Sequence, residues 1–175
     1  IYNRCQGGVI CWKKEEAGMM KRYYAAYGSN LNIEQMKYRC PASKTTGTAM
    51  LEGYELIFKG SKTGNYLTVE PNAEKQVPVA IWEVSQRDEN NLDYYEGYPR
   101  FYYKRSFKVP VKLENGETEN LEIFLYIMDE SRKPGSPTQT YFETCLKGYR
   151  DFGFNPDFLY EALERSDRKE NKHRK

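Results

Sequence analysis

The chain has 175 residues, 27 Lys and Arg against 25 Asp and Glu, 39% hydrophobic residues, 15% aromatics and one histidine, His173. That length suits one compact domain with a real core. Its greasiest stretch, residues 123–128, is strand length, far short of the ~20 apolar residues of a spanning helix, so a membrane protein is not expected; nor does the N-terminus show a signal-peptide core. Cys5, Cys11, Cys40 and Cys145 have no CxxC spacing, which argues against a zinc site, and the lone histidine in a polar tail argues against a His-based triad. The chemistry is left to carboxylates, hydroxyls and backbone amides.

The net charge of +2 is concentrated at the ends. Residues 165–175 hold six Lys and Arg and two Asp and Glu, and residues 1–19 hold three and two, so the body is mildly acidic. Such a body argues against a nucleic-acid face, which needs a basic surface interleaved with stacking aromatics. The tail 166–175, rich in charge and poor in apolar groups, is expected to be disordered and solvated.

Residues 1–19 lack periodicity and read as an N-terminal extension that carries Cys5 and Cys11, although Val9, Ile10 and Trp12 could pack. The domain is expected to span 20–165. Sparse cysteines fit a reducing, cytoplasmic setting. A strand ending at Tyr27 leads through Gly28-Ser29-Asn30 to a short helix capped by Asn32, with Gln35 able to reach back as a capping box. Residues 45–51, 54–58, 66–70 and 77–85 read as strands, the first two joined around Glu52-Gly53. Ser85 and Asp88 repeat the capping pattern for a helix to about Glu96, stopped by Gly97 and Pro99. Strands 102–113 and 119–128 flank Asn115-Gly116, a strong hairpin signal. In the second of these, Leu121, Ile123, Leu125 and Ile127 share one face while Phe124, Tyr126 and Met128 share the other, which predicts a sheet curled into a small barrel and covered outside by helices. Ser136-Pro137 and Asn155-Pro156 then open two helices, to about Phe152 and Arg165.

Three features could carry chemistry. A strand ending in Gly28-Ser29-Asn30 before a helix presents consecutive backbone N–H groups, a cradle for a small anion such as a carboxylate. Glu96 sits at a helix C-terminus, where the dipole disfavours negative charge, and is flanked by Tyr95, Tyr98 and Tyr102; a carboxyl there has its pKa pushed upward, as a general base near neutral pH requires. Sixteen tyrosines supply neutral donors that can hold an ammonium-carboxylate compound. Taken alone, each feature has an ordinary reading that comes first: a strand-to-helix turn, a solvated helix end, or core packing.

Their combination is more specific. YYAAYGSNL, then LDYYEGYPRFYYKR about 65 residues later, then SPTQTYFETCLKGYRDFGF, in that order and spacing, resemble the γ-glutamyl cyclotransferase-like family from about residue 20 to 165. The resemblance implies an α+β fold, a small mixed-sheet β-barrel with peripheral helices and a pocket at its mouth. It implies that backbone amides around Gly28, Ser29, Asn30 and Leu31 grip the α-carboxylate of a γ-glutamyl group, that Tyr27 lines the pocket, and that Glu96 is the acid/base. Tyr141 matches a helix tyrosine that contacts substrate, and Tyr102 matches a pocket tyrosine across a short alignment gap. The implied reaction is attack of the α-amine on the γ-glutamyl amide, giving 5-oxoproline and a free amine or amino acid, without metal or organic cofactor. A small-molecule γ-glutamyl substrate is the expected partner, with neither nucleic acid nor membrane, and the protein is expected to be a monomer or homodimer. Two other readings stay open: a metabolite-binding module of the same fold, and an enzyme that deprotects a γ-glutamyl-tagged intermediate.

Overall fold

The computed structural model describes residues 21–61 and 64–173. Strand β1 (Arg22–Ala26) leads through a 3-10 turn (Ser29–Leu31) into α1 (Ile33–Arg39). There follow β2 (Lys44–Ser61), β3 (Gly64–Val84), α2 (Gln86–Glu96), β4 (Tyr102–Leu113), β5 (Thr118–Met128), the short β6 (Lys133–Pro134), α3 (Gln139–Asp151) and α4 (Asp157–His173). The reading of residues 1–19 as an extension lies outside the described residues.

β1 runs antiparallel to β3, with Ala25 opposite Ile81, and parallel to β5, with Tyr23 opposite Ile123. β5 is antiparallel to β4, β4 meets β2 at Leu113–Gly47 and Lys112–Thr48, and β2 pairs along β3. The pairings close on themselves, so the expected mixed barrel is a five-stranded one, with β6 appended to β2. The β2–β4 joint depends on Gly47, because a Cβ there would stand 2.1 Å from the Lys112 carbonyl oxygen. Both faces of β5 are buried as its two-sided apolar pattern predicts: Ile123 and Leu125 on one side and Phe124 and Tyr126 on the other are each less than 5% exposed.

The break expected at Glu52-Gly53 is a register shift inside one long strand, with Gly53 at φ 77°, and the two later strand readings are likewise parts of the single strand β3. A bulge of this kind bends a strand without ending it, which is how a ribbon this long follows a barrel wall. The α2 cap is as expected: Ser85 Oγ accepts from Asp88 N–H at 3.1 Å, and Gly97 ends the helix in the left-handed conformation. At α1, Asn32 caps by accepting from Gln35 N–H, but the Gln35 side chain turns to Asn30 and makes no capping box. At α3 the cap is Thr138, since Ser136 spends its hydroxyl on Asp167 at 2.6 Å. That bond ties the start of α3 to α4.

The expectation of a disordered tail from residue 166 is corrected by α4, which continues to His173. Charge content alone did not reveal that the apolar stripe of residues 157–165 is continued by a buried polar contact at Ser166. Leu159, Ala162 and Ser166 are fully buried; Ser166 Oγ accepts from Phe58 N–H at 2.8 Å and donates to the Ala162 carbonyl at 2.7 Å, and Arg165 pairs with Glu55 at 2.9 Å. Ser166→Ala, which strands a buried strand donor, is expected to cost about 1–3 kcal/mol in a urea titration. Unchanged stability would mean that this part of the helix does not hold β2.

Candidate active site

Helix α2 delivers Glu96 because its outer turns are moored to the barrel. Glu89 takes Arg22 at 2.9 Å and Lys104 at 2.6 Å, Asp93 takes Lys104 at 2.7 Å and the Tyr126 hydroxyl at 2.6 Å, and Leu92 is fully buried. The last residue of the helix therefore lands at the barrel mouth, beside the 3-10 turn. There Asn30, 3% exposed, donates from Nδ2 to Glu96 Oε1 at 3.0 Å and to the Tyr24 hydroxyl at 3.0 Å.

Ser29, Glu96, Tyr102 and Tyr141 share one cavity of about 430 Å³, together with Gln35 and Arg39 of α1. Burial pushes the Glu96 carboxyl up to about 7, against the downward pull of the Arg39 guanidinium and of the Asn30 hydrogen bond. Desolvation, more than the helix end, is what makes the carboxyl basic. Of its expected aromatic neighbours, Tyr95 and Tyr102 line the cavity, whereas Tyr98 lies under Lys104, whose Nζ is 4.7 Å from the ring centre.

The turn contributes less than four amides. Leu31 N–H donates to the Gly28 carbonyl at 2.9 Å, and its side chain is fully buried against α3, so Leu31 anchors the turn and offers no donor. The N–H groups of Ser29 and Asn30 precede the first bond of the turn and have no acceptor among the described residues. Gly28 comes close to the opposite wall: a Cβ there would lie 3.4 Å from the Tyr141 hydroxyl and 3.5 Å from Leu67 Cβ. Tyr27 is buried, with its hydroxyl committed to the Tyr126 carbonyl at 2.5 Å, and it does not line the cavity.

The two remaining phenols are oriented through one residue that carried no sequence signal. Tyr102 donates to the Leu67 carbonyl at 2.9 Å, and Tyr141 accepts from Leu67 N–H at 3.1 Å. Having spent its proton, Tyr102 has only lone pairs left to offer, while the Tyr141 hydroxyl turns its proton toward the Cys145 thiol, a weak acceptor. Burial holds both phenols well above the ordinary tyrosine range, so both stay neutral at physiological pH. Sequence reasoning also missed Tyr24, Gln35 and Arg39; the last two stand four residues apart on α1, the spacing of one helix face. Among the described residues, no group of three or more His, Cys, Asp or Glu could hold a metal ion.

A closed five-stranded mixed barrel with a carboxyl, a glycine-led turn and oriented phenols at its mouth has the architecture of the cyclotransferase barrels. Residues 24–143 match the family model described as "Gamma-glutamyl cyclotransferase, AIG2-like", and the chain belongs to that family. The curated human protein "Gamma-glutamylcyclotransferase" is 26% identical over 153 residues, which cover 82% of this chain and 79% of the human one. A solved structure named "Gamma-glutamyl cyclotransferase" superposes with a TM-score of 0.70 at 23% identity, over 81% of this chain and 86% of that one. YkqA from Bacillus subtilis superposes with a TM-score of 0.65 at 17% identity, over 85% of this chain and 55% of its own. At these identities the two superpositions speak for the fold alone.

Proposed function

We propose that the protein is a γ-glutamyl cyclotransferase that converts a γ-glutamyl amino acid or amine to 5-oxoproline and the free amino acid or amine. The observation that carries this reading is Glu96: a carboxyl raised to about 7, held by Asn30 in the same cavity as the Ser29 end of the amide turn. The free amides of Ser29 and Asn30 take the substrate's α-carboxylate, which turns the α-amine toward its own γ-carbonyl. Orientation supplies much of the rate of such an intramolecular attack. Glu96 takes a proton from the ammonium before attack and returns one to the departing nitrogen, as a group with a pKa near ambient pH can. The lone pairs of Tyr102 accept from the ammonium, and the Tyr141 hydroxyl exchanges its weak Cys145 acceptor for a developing oxyanion. Cytoplasmic action is part of the same proposal and suits the free thiols of Cys40 and Cys145.

The test is incubation with a panel of γ-glutamyl amino acids and γ-glutamyl amines, with 5-oxoproline measured by mass spectrometry. A panel that is bound but never cyclised would leave a binding module in place of an enzyme. A γ-glutamyl compound whose α-carboxylate is amidated is expected to react at least about a hundredfold more slowly than the free acid, because the turn donors then face no anion. Equal rates for the two would remove the turn from carboxylate recognition.

A further inference from the structure

We infer that Arg39 is a positioning residue for Glu96: by holding Asn30 Oδ1 it fixes which end of that amide faces the carboxyl, and so holds the base in working orientation. The inference rests on the reading of Glu96 as the base.

An asparagine amide has a donor end and an acceptor end, and a flip would place Oδ1 against the Glu96 oxygen, exchanging a hydrogen bond for repulsion between two acceptors. Arg39 Nη1 donates to Asn30 Oδ1 at 2.6 Å, and Gln35 Nε2 approaches the same oxygen at 3.5 Å. With Oδ1 occupied by a guanidinium donor, Nδ2 is left for Glu96 and Tyr24, each at 3.0 Å. The guanidinium is itself held, stacked 4.6 Å from the centre of the Tyr95 ring. Among the described residues no carboxylate lies within 4.0 Å of Arg39, so its strongest contact is this neutral amide. Glu96 in turn has Oε1 tied down and Oε2 without a hydrogen-bond partner among the described residues, one oxygen for orientation and one for the proton.

The other titratable groups that feel Glu96 are phenols: Tyr24 on β1, Tyr27 just after it, Tyr102 on β4, Tyr126 on β5 and Tyr141 on α3. Burial raises all five, so they carry no charge at working pH. On α2 itself, Asp93 is paired with Lys104 at 2.7 Å. Arg39 is thus the cation that faces the base through the Asn30 amide, and it favours the carboxylate form.

The experiment follows the side-chain carboxyl of Glu96 by carbon-13 NMR in glutamate-labelled protein, for the parent, R39Q and R39K, alongside steady-state kinetics. In R39Q the titration midpoint is expected to rise by about one pH unit, and kcat at pH 7 to fall about fivefold with KM little changed. R39K, which restores the cation, is expected to bring the midpoint back. R39M, an unbranched apolar side chain without the cation, is read in the same way where R39Q does not fold. An unmoved midpoint overturns the inference, as does a rise in KM at constant kcat, which would make Arg39 a substrate anchor. The titration needs no turnover, so it decides the role of Arg39 even if the parent protein releases no 5-oxoproline.

Discussion

Glu96→Gln is expected to yield a well-folded protein that forms 5-oxoproline at least about a hundredfold more slowly than the parent, the lower end of what a positioned base contributes. The amide keeps an oxygen that can accept from Asn30 Nδ2, so the shape of the site survives while the proton acceptor is lost. In the parent, kcat/KM should rise with pH through about 7 as the carboxylate forms, and that limb should vanish in the variant. Stability provides an independent check on the same carboxyl. Its folded value of about 7 lies above the 4.5 of an ordinary glutamate, so folding takes up a proton between those pH values. The contribution of Glu96 to stability therefore falls as pH rises from about 4.5 to about 7 and stays low above that range. At pH 8 the variant should melt at or above the parent temperature, as scanning calorimetry would show. Near-parental turnover in a folded Glu96→Gln protein would exclude Glu96 as the base.

Gly148→Ala should cost both stability and substrate affinity, although helix propensity alone favours alanine by roughly 1 kcal/mol. Gly148 lies inside α3 where the 3-10 turn passes closest: a Cβ there would stand 2.5 Å from Leu31 Cβ, 2.6 Å from Asn32 N and 2.7 Å from the Leu31 carbonyl carbon. Two of those three atoms are backbone, so no side-chain rotation relieves the overlap. Either α3 or the turn must move, and overpacking of this kind costs about 1–3 kcal/mol, enough to outweigh the propensity gain. A displaced turn carries the Ser29 and Asn30 amides with it, so KM for a γ-glutamyl amino acid should rise along with the fall in urea midpoint. A variant as stable as the parent with the same KM would show that the turn is not held by this contact.

How much of this was legible in the sequence follows from the range of each interaction. Asn115-Gly116, Ser85 with Asp88, and the Gly97 stop are local chemistry, and the structure bears them out. The two-sided apolar pattern of β5 carries information about the whole sheet, because a strand buried on both faces must be covered on both; that pattern led to the barrel. Ser29, Glu96, Tyr102 and Tyr141 were likewise singled out in the sequence, and the fold brings all four to one cavity.

Competition among equally able local groups was decided only by tertiary contacts. Thr138 caps α3 in place of Ser136 because Asp167, 31 residues away, takes the Ser136 hydroxyl. The Gln35 side chain abandons a capping box for Asn30, the Leu31 amide is spent inside its own turn, and α4 runs on because Ser166 meets Phe58 N–H on β2, a partner 108 residues distant. The basicity of Glu96 was expected from a helix end, a one-dimensional feature, but arises mainly from burial, which depends on what the barrel places around it. From the sequence alone came the elements, the closed sheet and the chemical groups at its mouth, since these rest on periodicity and short-range hydrogen bonding. Tertiary structure alone decided which oxygen, amide or hydroxyl stayed available, because that is settled by long-range neighbours competing for the same donors and acceptors.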